Sequence, residues 1–111
     1  MKGYTNTGAV WQLRHKGEIV ASLVVSDSEW PWVYARLQPR PGFGRIQPLL
    51  AEELRLLDDI ENKVDEWEAA YDEIRKDLTL LYPDGNPVPE YLLHVKNDNA
   101  WWRWNDQPFP G

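Results

Sequence analysis

Cysteine is absent from the sequence, and this excludes disulfide frameworks, thiolate zinc sites, iron–sulfur clusters and cysteine nucleophiles. The absence fits a reducing compartment. Long apolar runs are also lacking. No segment approaches the run of about 20 apolar residues that spans a bilayer, and the opening MKGYTNTGAVWQLRHKGEIV holds no apolar stretch of signal-peptide length. A soluble, cytoplasmic protein with no membrane partner is expected. Basic residues are in the minority, 12 against 18 acids for a formal charge of −6. Phosphate backbones are bound by net basic faces, so nucleic acid is not an expected partner. Catalytic signatures are missing as well: there is no G-x-S-x-G, no glycine-rich phosphate loop, no H-E-x-x-H and no EF-hand loop. No catalytic residue, metal ligand or cofactor is expected on these grounds.

What is present is aromatic and acidic. A chain of 111 residues fits one domain, residues 1–111, which buries roughly 60–70% of its unfolded surface without staples. Seven tryptophans must help supply that core. The charge is uneven, since residues 51–78 carry eleven acids against four bases, net −7, leaving +1 for the remainder.

The order of elements follows from periodicity and turn chemistry. AVWQLRHKGEIVASLVVSD holds two β-rich runs around Lys16-Gly17-Glu18, with Trp11, Leu13 and His15 on one face of the first and Ile19, Ala21, Leu23 and Val25 on one face of the second. WPWVYARL reads as a third strand with Pro31 at its start, which suggests an edge position because proline lacks a ladder donor. QPRPGFGRIQP is an extended crossover. From Leu50 apolar residues recur in steps of three and four, at 50, 54, 57, 60, 64, 67, 71, 74, 78 and 81. A single helix over 48–81 would be about 50 Å long, too long for a domain whose radius of gyration should be about 13 Å. A break is expected in LLDDIENK, with Asp58 and Glu61 at capping-box spacing, giving helices near 47–57 and 60–78. Pro83-Asp84-Gly85 and Asn97-Asp98-Asn99 are turn signals flanked by strands. The fold class is α+β: an antiparallel sheet, β-β-β-α-α-β-β with one further short strand allowed at 79–82, packed on one face by a long helix. Phe109 is expected to decide whether the tail QPFPG is ordered.

Two surfaces are candidates for function. In AWWRW, residues 100–104, Trp102 and Trp104 share a face expected to pack on the long helix near Trp67 and Tyr71. Trp101 and Arg103 point the other way, and a tryptophan beside an arginine has the composition of an interface hot spot or a stacking platform. Trp30 and Trp32 in EWPW fall on one strand face, either as core or as the wall of a groove; beside Trp101 they would make an aromatic shelf. The second surface is an acidic ridge, Glu61, Asp65, Glu68 and Asp72, one position after the apolar seam and only partly offset by Asp59 to Lys63 and Asp72 to Lys76. It reads as a solvated helix face or as a surface for a basic partner. His15 and His94 sit in strands in phase with apolar neighbours, as hydrogen-bonded or half-buried residues more than as catalysts.

WQLRHKGEIVASLVVSDSEWPW and PDGNPVPEYLLHVKNDNAWWRW together resemble a group of small uncharacterised bacterial proteins that share an N-terminal Trp-x-Leu…Gly hairpin, a Pro-Trp pair, and a Leu-Leu-His strand leading to Ala-Trp. The matching positions are Trp11, Leu13, Gly17, Pro31, Trp32, Leu92, Leu93, His94, Ala100 and Trp101. The resemblance covers about half the chain and implies no activity, substrate or cofactor.

The leading expectation is a non-catalytic domain that binds a partner protein through the aromatic patch or the acidic ridge. The alternative is a small-ligand or saccharide binder on the tryptophan shelf, with Arg103 and His94 supplying polar contacts. An enzyme built from scattered carboxylates comes third. The four-three alternation of the helix seam also allows a homodimer.

Overall fold

A computed structural model describes residues 3–106, so the expectation for Phe109 lies outside the described residues. The elements are β1 (Val10–His15), β2 (Glu18–Glu29), β3 (Trp32–Pro39), a 3₁₀ turn (Phe43–Arg45), α1 (Gln47–Leu57), α2 (Ile60–Asp77), β4 (Leu78–Leu81), β5 (Glu90–Lys96) and β6 (Asn99–Asn105). The strands form one antiparallel sheet in the order β4-β1-β2-β3-β6-β5. This is the expected α+β class, and the short strand after the helices is present as β4.

Local chemistry explains the turns. Lys16 and Gly17 both have positive φ, 51° and 84°, the signature of the two-residue turn whose twist matches a hairpin. A bulge between Leu13 and Arg14 then sets Arg14 opposite Ile19 and Leu13 opposite Ala21. The extra residue, Val20, moves Ile19 off the face it was expected to share with Ala21. The second hairpin closes through Trp30-Pro31, joined by a cis peptide bond, with Glu29 paired to Trp32. Pro31 therefore lies in the turn, where no ladder donor is needed. Strand β3 is free to sit inside the sheet between β2 and β6, contrary to the edge position expected for it.

The helical run breaks where chain dimensions require it, because a continuous helix of about 50 Å would exceed the longest molecular extent, 39 Å. Asp58 caps the C-terminus of α1, and Asp59 takes the N-cap of α2, where its carboxylate accepts from the Asn62 side chain at 2.9 Å. The capping box expected of Asp58 and Glu61 does not form. Helix α2 carries a second irregularity at Lys63, whose φ of −134° and ψ of 28° are not helical.

One face of the sheet carries the core. Trp11, Leu13, Leu23, Leu93 and Trp102 are fully buried there, joined by Val33, Ala35 and Ala100. Trp11 meets Trp102 and Trp104 with ring centroids 5.1 and 5.2 Å apart, although β6 is the third strand from β1. In a flat sheet those strands would be roughly 14 Å apart. The sheet must therefore coil around this aromatic centre. Trp102 and Trp104 thus pack on Trp11, where the sequence suggested Trp67 and Tyr71; the latter two stack on each other at 5.3 Å. The helical cover is a pair: α1 lies against β5, and α2 packs along α1 and brings Tyr71 and Ile74 into the core.

Both margins of the sheet are occupied. The Tyr71 hydroxyl donates to the Tyr91 carbonyl at 2.7 Å and accepts from the Leu93 N–H at 3.1 Å, filling backbone positions that β5 does not offer to β6. Arg75 pairs with the buried Glu90 at 2.5 Å, and the Tyr91 hydroxyl reaches the Leu78 carbonyl at 2.6 Å. On the β4 side, the turn after Tyr82 folds back so that the Val88 N–H donates to the Leu80 carbonyl at 2.9 Å. Tyr71→Phe should therefore cost about 1–3 kcal/mol, since it orphans two buried backbone groups, and should speed hydrogen exchange at Leu93. Burial pushes the Tyr71 and Tyr91 phenols well above the ordinary tyrosine range. Their contribution to stability is complete below the unfolded value of about pH 10 and is lost as pH rises beyond it. The alkaline loss should be shallower in Tyr71→Phe, and an unchanged profile would reject this assignment.

Candidate functional site

The face opposite the core is where the chemistry-bearing side chains collect. Tyr34, Trp101 and His94 stand in one row across β3, β6 and β5, and Arg103 faces Leu92 in the next. Trp32 lies two residues before Tyr34 and so shares its face. The His94 ring sits between two indoles, 5.9 Å from Trp32 and 5.6 Å from Trp101, tilted against both.

Behind this row stands a residue that no sequence pattern marks. Glu53 of α1 is 0% exposed; its Oε1 lies 2.8 Å from His94 Nδ1, and its Oε2 accepts from Trp67 Nε1–H at 2.6 Å. A buried carboxylate is costly unless its oxygens are satisfied, and here one helix, α1, is tied by two donors to β5 and to α2. The carboxylate accepts, so Nδ1 carries the proton and Nε2 is the nitrogen left for other contacts. Among the described residues no hydroxyl is hydrogen-bonded to His94. A carboxylate and an imidazole are thus joined through Nδ1, as in the acid–base half of a catalytic triad.

Burial of Glu53 reflects a shifted helix face. The seam anticipated Leu50, Leu54 and Leu57, whereas α1 buries Leu50, Glu53 and Leu56. The displaced Leu54 and Leu57 are half-exposed and, with Leu50 and Ala51, form one wall of a groove of about 560 Å³ whose opposite side includes Trp101 and Lys96. That volume falls within the roughly 300–1,000 Å³ of small-molecule sites.

The candidate residues separate into three places. Trp32 and Trp101 are brought together through His94 and are half-buried, with Arg103 exposed beside them. Trp30 is 92% exposed at the hairpin turn and makes no ring contact among the described residues. It does not share a strand face with Trp32 as expected. Glu61, Asp65, Glu68 and Asp72 are all exposed along α2. The offsetting pairs differ from those expected: Lys63 reaches Glu66 at 3.8 Å, and neither Asp59 to Lys63 nor Asp72 to Lys76 is an ion pair among the described residues. Glu68, Asp72 and Arg103 line one cleft with Trp67 and Tyr71, about 280 Å³ in volume, so the ridge and the aromatic strand share a boundary. The seam is open only in part, since Tyr71 and Ile74 are buried in their own fold while Val64 is 48% exposed.

Among the described residues there is no group of three or more His, Asp or Glu that could hold a metal ion, and no helix is long and apolar enough to cross a membrane. No protein-family model, curated protein or solved structure matches the chain.

Proposed function

We propose that this is a non-catalytic binding domain that holds a partner protein on the outer sheet face formed by Trp32, His94, Trp101 and Arg103. The observation that carries this reading is the support beneath the face. His94 is clamped by a buried carboxylate and wedged between two half-exposed indoles, on a surface that the core, already filled by Trp11 and Trp102, does not require. Rigid aromatics beside an arginine lose little entropy on binding and are the residues that dominate interface energies. Glu68 and Asp72 at the margin of the same face would steer a basic rim on the partner toward it.

The test is affinity capture from the source cells with three baits of matched thermal stability. Trp101→Ala should abolish enrichment of the partner, Arg103→Ala should weaken it, and Glu68→Lys should reduce it at low salt alone. A partner still captured by Trp101→Ala at wild-type yield rejects the aromatic face. The groove of about 560 Å³ between α1 and Trp101 favours a second reading, a small apolar ligand seated against the same indole. Enrichment of a small molecule that is lost in Leu54→Asp would select it.

A further inference from the structure

A separate cavity of about 300 Å³ opens at the end of the β1–β2 hairpin, between the N-terminal turn of α1 and the C-terminal turn of α2. Its floor is apolar, made by the buried Ile46, Leu50, Ile74 and Leu78, and Leu49, 38% exposed, stands at its edge. Its rim carries both signs of charge. Lys16 and Arg45 are cationic; Glu73 and Asp77, one helical turn apart, are anionic. These charges are loosely held: Lys16 lies 4.0 Å from Asp77, Arg45 pairs at 3.2 Å with Glu18, which does not line the cavity, and Glu73 has no ion pair among the described residues. His15 also lines the cavity, while its Nδ1 is shut off from solvent and so from anything the cavity holds.

We infer that this cavity binds a small zwitterion with an aliphatic side chain, an α-amino acid of the leucine type. Each simpler ligand leaves a group unanswered. An anion would meet Glu73, which has no ion pair among the described residues, a cation would meet Lys16 and Arg45, and a neutral hydrocarbon would strip water from the rim charges without answering any of them. A zwitterion answers all of these. Its carboxylate faces Arg45 and Lys16, its ammonium faces Glu73 and Asp77, and its side chain rests on Leu50 and Ile74. The volume lies at the lower end of the roughly 300–1,000 Å³ of small-molecule pockets, as suits a ligand of this size. The polar rim shares no residue with the aromatic face, so the inference stands independently of the partner-binding reading.

The experiment is an NMR titration of the full chain with L-leucine, 4-methylpentanoate and isopentylamine, following the Leu49 and Ile74 methyls and the His15 ring protons. L-leucine should give saturable shifts with Kd at or below about 1 mM, and each analogue, lacking one charge, should bind at least about tenfold more weakly. Arg45→Gln and Glu73→Gln, both at exposed positions, should each weaken L-leucine by a similar factor, while Trp101→Ala leaves it unchanged. Absence of saturable shifts, or equal binding of an analogue, overturns the inference.

Discussion

Trp11→Ala is expected to lose about 3–5 kcal/mol of stability, the range for deleting a large aromatic from a packed core. The reason lies in its neighbours. Trp11 is 0% exposed, touches the rings of Tyr4, Tyr82, Trp102 and Trp104, and donates its indole N–H to the Tyr4 carbonyl at 2.7 Å. It is the residue around which the sheet coils, so its removal opens a cavity that several strands border at once. Domains of this size have only about 5–15 kcal/mol in total, and a substantial unfolded population at room temperature is expected. Urea titration should show a lower midpoint at an unchanged slope. Trp104→Ala, at the half-buried flank of the same cluster, serves as the comparison. If it costs more than Trp11→Ala, the coiled-sheet description is wrong.

The second large effect is expected at Glu53. Glu53→Ala strips the acceptor from two donors, the buried His94 and the half-buried Trp67, and breaking a buried pair such as Glu53–His94 costs about 3–5 kcal/mol. Replacing both ends of the pair should cost far less than the sum of the single changes. Glu53→Leu combined with His94→Leu exchanges two polar groups for apolar ones and leaves only the Trp67 N–H to find water at the cleft. A double-mutant cycle should therefore return a coupling of about 1–3 kcal/mol. Additive losses would mean that the two residues do not act as a pair. The cycle also bears on function, because a partner that requires the ordered shelf should be lost in Glu53→Ala even at temperatures where the variant is folded.

The elements were legible because each rests on local chemistry. Lys16-Gly17 and Pro83-Asp84-Gly85 announce turns through the backbone conformations they permit, and the three-four spacing from Leu50 announces helix. What was not legible depends on contacts between elements. Nothing local distinguishes Glu53 from Glu52 beside it, yet one is the best-buried acid among the described residues and the other pairs with Arg55 on the surface. The burial of Glu53 follows from the position of His94, 41 residues away in sequence, and from a rotation of α1 that no periodicity records. The edge assignment of β3 failed for a related reason. Pro31 belongs to the turn and not to the strand, and that one-residue shift in the boundary removes the argument from its missing donor. For the aromatic face, alternation correctly separated Trp101 from Trp102, but the placement of Trp32 beside His94 depends on strand order, which hairpin signals do not encode.

The occupied margins of the sheet also restrict how anything can dock. Extended peptides often bind by adding a strand to an open edge, using main-chain hydrogen bonds for affinity. Here the Tyr71 hydroxyl already takes the Tyr91 carbonyl and the Leu93 N–H on β5, and the Val88 N–H of the returning chain takes the Leu80 carbonyl on β4. Strand addition at these positions would have to displace those contacts, so the proposed outer face is one that reads side-chain shape and ring chemistry, with backbone geometry left unread.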